Sequence, residues 1–290
     1  MTQERLFQDK VVVVAGGGAG LGRQYVLDLA AAGARVVVGG RSASAELTAS
    51  DARKAGGDAV SCLADVRNGE RMIQTALETY GRLDGLIVNA GVVRDRSFLK
   101  MSPEDWAEVL EIHLGGTYAC VRAAWPHMLA QQFGRIVLTI SGAAMYGNFG
   151  QANYSAAKGA IIGFMRTLAI EGGPKNVFVN ALGPIASTGM TESVFDDRQK
   201  ALLDPKGVSP YALALLHDRS AENGSIIEAG GGWAARIRLE RSAGLRLAGT
   251  ELSPETVLRR WSEVIHFDDS ATHPAAIPDC LSAAMGTNRS

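Results

Sequence analysis

Residues 10–22 read Lys10-Val11-Val12-Val13-Val14-Ala15-Gly16-Gly17-Gly18-Ala19-Gly20-Leu21-Gly22. Four valines in a row leave no polar position to face water, the pattern of a strand buried on both faces of a parallel sheet. The stretch from 20 to 32 then reads as a helix. Glycines 16, 20 and 22 fall in a G-x-x-x-G-x-G spacing at the turn between them. Bare backbone there lets a phosphate come close, and a helix N-terminus offers it unpaired N–H groups and the positive end of a dipole. A merely flexible turn would need neither the strand before it nor the helix after it. Gly16, Gly18, Gly20, Leu21 and Gly22 are therefore expected to cradle the pyrophosphate of a dinucleotide.

Outward from this turn, short β-branched runs alternate with Ala/Leu-rich stretches. Strands are expected over 10–15, 34–38, 59–63, 84–88, 135–140, 177–181 and 224–228, and helices near 20–32, 43–55, 69–80, 103–111, 115–131, 152–171 and 208–217. Such alternation predicts an α/β protein with a doubly wound parallel sheet and helices on both faces. Ser102-Pro103-Glu104-Asp105 marks a helix start, with Ser as N-cap, Pro at the first position and acids in the first turn. Residues 1–235 are expected to form one dinucleotide-binding domain that includes the catalytic site. The remainder, 236–290, carries Arg236, Arg238, Arg241, Arg246, Arg259 and Arg260. It reads as an extension packed on that domain or on a partner subunit, not as a second core.

The end of the second strand reports on the ribose, because an acid there bonds both hydroxyls and repels a 2′-phosphate. The sequence has Val38-Gly39-Gly40-Arg41-Ser42 instead. Arg41 and Ser42 are donors suited to a phosphate, although Arg41 also has the plainer reading of a solvated loop residue. NADP(H) is the favoured cofactor and NAD(H) the second candidate.

Tyr154 and Lys158 stand four residues apart in Ala152-Asn153-Tyr154-Ser155-Ala156-Ala157-Lys158, so on a helix they share one face. An ammonium beside a phenol favours the phenolate, and the Tyr154 pKa is expected below its usual ~10. Ser141, thirteen residues earlier at the end of the fifth strand, can hydrogen-bond the same substrate oxygen. A lone Tyr-x-x-x-Lys is common by chance; behind a phosphate loop and a serine at a strand end it is not.

With these motifs, Asp65-Val66 after the third strand and Asn89-Ala90-Gly91 after the fourth, residues 6–235 resemble the short-chain dehydrogenase/reductase family. The resemblance implies a seven-stranded Rossmann-type sheet and interconversion of a ketone and a secondary alcohol by hydride transfer. It implies Tyr154 as acid/base, Lys158 on the nicotinamide ribose, Ser141 polarising the carbonyl, Asp65 and Val66 at the adenine, and Asn89, Ala90 and Gly91 along the cofactor cleft. Val92-Val93-Arg94-Asp95-Arg96-Ser97-Phe98 and the run 146–158 resemble a narrower branch, the (3R)-hydroxyacyl-CoA dehydrogenase domain of peroxisomal multifunctional enzyme type 2. So do Glu222-Asn223-Gly224, Gly230-Gly231-Gly232-Trp233 and Arg238-Leu239-Glu240-Arg241. That branch implies a 3-oxoacyl-CoA or (3R)-hydroxyacyl-CoA substrate; a free steroid, cyclic or aromatic ketone is the alternative, and a silent cofactor sensor or scaffold the minor one.

Three departures stand out. Gly40 and Arg41 replace the acid of that branch. His113 stands where most of the wider family has an Asn that supports a proton relay, so it is either a relay residue or an uncharged packing histidine. Pro184 is followed by Ile185-Ala186-Ser187-Thr188 without the usual Pro-Gly, leaving Ile185 as the expected backbone contact to nicotinamide and Thr188 as a further cofactor contact. Residues 186–207, with Met190, Val194, Phe195, Leu202 and Leu203, are the expected substrate lid. Arg94, Arg96 and the arginines of the extension are candidates for CoA phosphates, against the plainer alternative of surface ion pairs.

Composition narrows the partners. With 29 Lys+Arg against 30 Asp+Glu, a net charge of −1 argues against nucleic acid and anionic membranes. Cys62, Cys120 and Cys280 are too few for a disulfide framework and too far apart for a metal motif. No secretory leader, spanning segment or C-terminal peroxisomal address is apparent. A cytoplasmic homodimer or homotetramer acting on a small molecule is the resulting expectation.

Overall fold

In the computed structural model, which describes residues 5–189, 191 and 195–285, the valine run is β1 (Val11–Ala15), buried at every position. Chain order continues α1 (Gly20–Ala31), β2 (Arg35–Gly40), α2 (Ser44–Lys54), β3 (Asp58–Leu63), α3 (Gly69–Tyr80), β4 (Gly85–Val88) and α4 (Pro103–Leu110). A π-helical turn over Glu111–Gly115 leads into α5 (Gly116–Gln131), then β5 (Gly134–Thr139), α6 (Ala143–Tyr146), α7 (Ala152–Gly172) and β6 (Val177–Ile185). α8 (Asp197–Leu202), α9 (Ser209–Leu216), β7 (Ile226–Gly230) and β8 (Trp233–Ile237) complete the sheet region.

The strands lie in the order β3-β2-β1-β4-β5-β6-β7-β8, parallel from β3 through β7. Valine pairs with valine across the first ladder (Val12 with Val36, Val14 with Val38), so the β-branched runs that mark the strands also fill the space between them. Tyr25, Val26 and Leu29 of α1 and Leu215 and Leu216 of α9 pack with Val12, Val14, Val36 and Val38 into one core layer. The order reverses between β1 and β4. In an open α/β sheet that reversal creates a crevice beyond the strand ends, and ligands bind there.

The seven-stranded expectation is one strand short. Gly231 and Gly232 both have positive φ (57° and 82°), as a two-residue hairpin turn requires, and Trp233–Ile237 returns beside β7 as β8. No residue of β8 is buried, so it lacks the apolar pattern that betrays the inner strands.

The chain divides into two compact units, one ending at Arg236 and the other beginning at Ile237. The second holds α10 (Pro254–Arg259), α11 (Trp261–Ile265) and α12 (Ile277–Met285), and none of its described residues is buried. Its internal ties are polar: Arg241 and Thr272 exchange backbone hydrogen bonds at 2.8 Å, the Ser242 hydroxyl donates to the Val264 carbonyl, and Arg260 pairs with Glu263 at 2.7 Å. Among the described residues no helix is long and apolar enough to cross a membrane, and no His, Cys, Asp or Glu group is arranged to hold a metal. All three cysteines are free thiols.

Candidate active site

The turn after β1 and the turn after β4 press directly on one another. Asn89 and Ala90 both donate backbone N–H groups to the Ala15 carbonyl, at 2.9 and 3.0 Å. Gly16 has φ +87°, and a Cβ there would stand 2.5 Å from the Ala90 nitrogen, so the position excludes any side chain. A Cβ on Gly18 would meet the Ser44 hydroxyl at 2.4 Å, and one on Gly22 would lie 1.9 Å from the Gly16 carbonyl. No side chain caps the N-terminus of α1 and no acid lies in its first turn, where Leu21 is buried. The result is a backbone cradle at a helix N-terminus that a phosphate would fill. It forms one wall of a cleft of about 960 Å³.

Arg41, Ser42, Asp65 and Val66 line the same cleft. Arg41 is 61% exposed and lies 3.7 Å from Asp65, while the Ser42 and Ser44 hydroxyls are 2.8 Å apart. Asp65 caps the short turn Val66–Asn68; the Arg67 guanidinium, with Arg41 adding a smaller pull, holds its carboxyl below the usual carboxylate range against the effect of burial. Asn89 faces the Gly16 carbonyl and accepts from Thr139 at 3.3 Å. Ile185, the last residue of β6, and Thr188 line the cleft on the β6 side, and Thr188 lies over Gly20, where a Cβ would come within 3.3 Å of its side chain.

Ser141, Tyr154 and Lys158 converge on this cleft. Ser141 lies two residues beyond the end of β5, its hydroxyl oxygen accepting from the Ala143 N–H at 3.2 Å. Lys158 is buried and donates to the Thr139 carbonyl at 2.6 Å; burial pushes its pKa down to about 7. The expected lowering of the Tyr154 pKa is overturned. Burial raises it above the ordinary phenol value, Asp95 adds to the rise, and the Ser141 hydroxyl opposes it. The physical reason is geometric: the Lys158 ammonium is tied to a backbone carbonyl, 5.8 Å from the Tyr154 ring centre.

His113 lies in the π-helical turn, buried, with its ring edge-on to Tyr154. Its Nε2 is 2.7 Å from the Val92 carbonyl, and burial with the nearby Lys158 charge pushes its pKa down to about 3. The ring is therefore neutral. It fits only because residue 91 is glycine: a Cβ on Gly91 would lie 2.2 Å from the His113 ring.

Residues 10–199 match the short chain dehydrogenase family. The chain belongs to the short-chain dehydrogenase family. It is similar to peroxisomal multifunctional enzyme A of Dictyostelium discoideum, 40% identical over 96% of this chain and 65% of that protein. Among solved structures it is similar to full-length peroxisomal multifunctional enzyme type 2 from Drosophila melanogaster, with TM-score 0.85 and 37% identity, covering 97% of this chain and 49% of that one. A short chain dehydrogenase from Mycobacterium avium gives TM-score 0.78 and 34% identity over 90% of this chain and 96% of that one. The chain thus spans about a third to two-thirds of the length of the multifunctional relatives it matches.

Sequence reasoning missed the residues that set the dehydrogenase's tyrosine in place. Asn153, fully buried, donates to the carbonyls of Arg94 (3.3 Å) and Asp105 (3.1 Å) and accepts from the Tyr154 N–H at 2.8 Å. Its polar side chain directly before Tyr154, at a helix start, was the available signal. Tyr146, at the end of α6, donates to Glu228 of β7 at 3.2 Å. Among the candidates for CoA phosphates, Arg94 is paired with Glu108 at 2.8 Å, and Arg241 and Arg246 donate to carbonyls of the C-terminal unit. Phe195 and Thr191 of the expected lid line the cleft; Met190 and Val194 lie outside the described residues.

Proposed function

We propose that this dehydrogenase interconverts a 3-oxoacyl thioester, of the CoA type, and the (3R)-3-hydroxyacyl thioester, with NADP(H) preferred over NAD(H). The observation that carries the chemistry is the convergence of Ser141, Tyr154 and Lys158 in the cleft whose other wall is the glycine cradle. The names of the multifunctional relatives and the resemblance of residues 92–98 and 146–158 support the acyl thioester.

A bound nicotinamide supplies hydride to the substrate carbon, or removes it. In the reducing direction the Ser141 hydroxyl donates to the carbonyl oxygen, and the Tyr154 hydroxyl transfers its proton to that same oxygen. A phenol held above its ordinary pKa keeps this proton at neutral pH, which suits the acid role. Lys158 would hold the ribose end of the cofactor, and its positive charge would stabilise the phenolate left on Tyr154 as that proton leaves. His113, neutral and fixed to Val92, is a positioning residue that fixes the Tyr154 ring. Arg41, Ser42 and Ser44, with Gly40 in place of an acid, would receive a 2′-phosphate. Assembly as a homodimer or homotetramer belongs to the same reading; the exposed Tyr118 of α5 and Ile170 of α7 support it.

Oxidation of each enantiomer of 3-hydroxybutyryl-CoA, followed by cofactor absorbance, tests the assignment. The (3R) thioester is consumed and the (3S) thioester is not. Consumption of the (3S) form alone, or of neither form while simple ketones are reduced, overturns it.

A further inference from the structure

Among the described residues on the substrate side of the cleft, Asp95 is the one carboxylate. Asp95 lines the cleft with Val93, Ile140, Ala143, Gln151 and Phe195. Its Oδ2 accepts from Gln151 Nε2 at 2.8 Å, and Gln151 in turn accepts from Asn148 at 3.0 Å, so the carboxylate is held by a two-member amide chain. No ion pair neutralises Asp95 among the described residues: Arg94 pairs with Glu108, and Arg96 donates to the Asp95 backbone carbonyl, not to its carboxylate. The cations among the described lining, Lys158 and Arg41, are engaged by other groups. Lys158 is tied to the Thr139 carbonyl, and Arg41 is beside Asp65 at the far end of the glycine cradle.

We propose that Asp95, positioned by Gln151, is a charge sieve: it excludes 3-oxo acids with a free carboxylate and admits the same carbonyl compounds once the acid is esterified. A 3-oxo acid must place its carboxylate one carbon from the carbonyl that meets Tyr154, and Asp95 is bonded to Gln151, which caps the helix that carries Tyr154 three residues on, in the same cleft. Asp95 is exposed, so its repulsion of a second anion acts partly through water and is open to screening by salt, whereas a thioester or ester presents no charge. The inference rests on the thioester reading above and adds the reason a free acid fails.

The test compares acetoacetate with ethyl acetoacetate, which share the reacting carbonyl and differ in charge, at saturating cofactor. In the wild-type chain the acid-to-ester ratio of kcat/KM is low and rises severalfold as salt goes from about 0.02 to 0.5 M, because screening shortens the reach of Asp95. Asp95→Asn keeps an oxygen for Gln151 and removes the charge; the ratio rises five- to tenfold and loses its salt dependence. An unchanged ratio in that variant, or a wild-type ratio indifferent to salt, overturns the sieve. If the wild type reduces neither the ester nor acetoacetyl-CoA, the proposed function fails first; if it reduces the ester and the ratio does not respond, only the sieve fails.

Discussion

The His113 and Tyr154 rings meet edge to face, 5.0 Å between centres and 86° between planes. A neutral imidazole used this way orients the phenol without contributing a proton, and its removal leaves the phenol less well fixed. His113→Leu is expected to lower kcat at least tenfold while the positions of the limbs in the pH–rate profile stay where they are. Disappearance of a limb near pH 6–7 would instead make His113 a titrating relay group.

The same residue links stability to pH. The folded state holds the His113 pKa down to about 3, below its value in an unfolded chain of ~6.5. The unfolded state therefore binds the proton first, and stability falls as pH drops from about 6.5 towards 3, by up to about 1.4 kcal/mol per pH unit. Chemical denaturation of the wild type and His113→Leu at pH 7.5 and 5 checks this: the variant loses less between the two pH values. Equal losses would contradict it.

Gly91 and His113 occupy one space. Gly91→Ala puts a Cβ 2.2 Å from the imidazole, which must move, and overpacking of this kind costs about 1–3 kcal/mol. In a His113→Ala background the same change is nearly neutral, so denaturation of the four proteins shows strong coupling. Additive effects would mean that the two residues do not share the contact.

Cofactor choice is expected to follow the end of β2. A Cβ on Gly40 would come to 3.2 Å from that of Ala45, a distance a small shift accommodates, so an acid can be placed there. Gly40→Asp with Arg41→Leu should move the NADPH-to-NADH ratio of kcat/KM towards NADH by tenfold or more, about 1.4 kcal/mol. No movement would mean that Arg41 does not meet the 2′-phosphate.

The raised Tyr154 pKa sets the pH response of the two directions. The phenol form persists through neutrality, so reduction is level between pH 6 and 8, while oxidation needs the phenolate and climbs with pH across the same range. Initial rates in both directions at saturating cofactor measure it. A level oxidation profile would contradict the assignment.

Where local chemistry determined an element, it could be read from the chain. Val11–Val14, Val36–Val38 and Ile136–Leu138 have no polar residue and are inner strands, and Ser102 caps α4 through the Asp105 N–H as its position before Pro103 suggests. β8 escaped because an edge strand needs no apolar pattern, and α6 because four residues carry too little periodicity to show. The site was legible as a set of residue types but not as energies. Spacing puts Tyr154 and Lys158 on one face, yet the reach of the lysine to the Thr139 carbonyl and the burial of the phenol depend on tertiary packing. The buried Asn153 that anchors Tyr154 forms its bonds with residues 48 and 59 positions away, which no local pattern reveals.

The central claim is that Tyr154 protonates the C3 oxygen of an acyl thioester, and one comparison tests it most directly: cofactor oxidation with acetoacetyl-CoA and with ethyl acetoacetate, in the wild type and in Tyr154→Phe. The account predicts a kcat/KM at least tenfold higher for the thioester, worth about 1.4 kcal/mol of transition-state binding. It also predicts a loss of about a hundredfold or more in kcat for the variant on both substrates, within the usual range for an acid–base group, with cofactor binding retained. Equal or reversed rates for thioester and ester, or a fully active Tyr154→Phe, would contradict it.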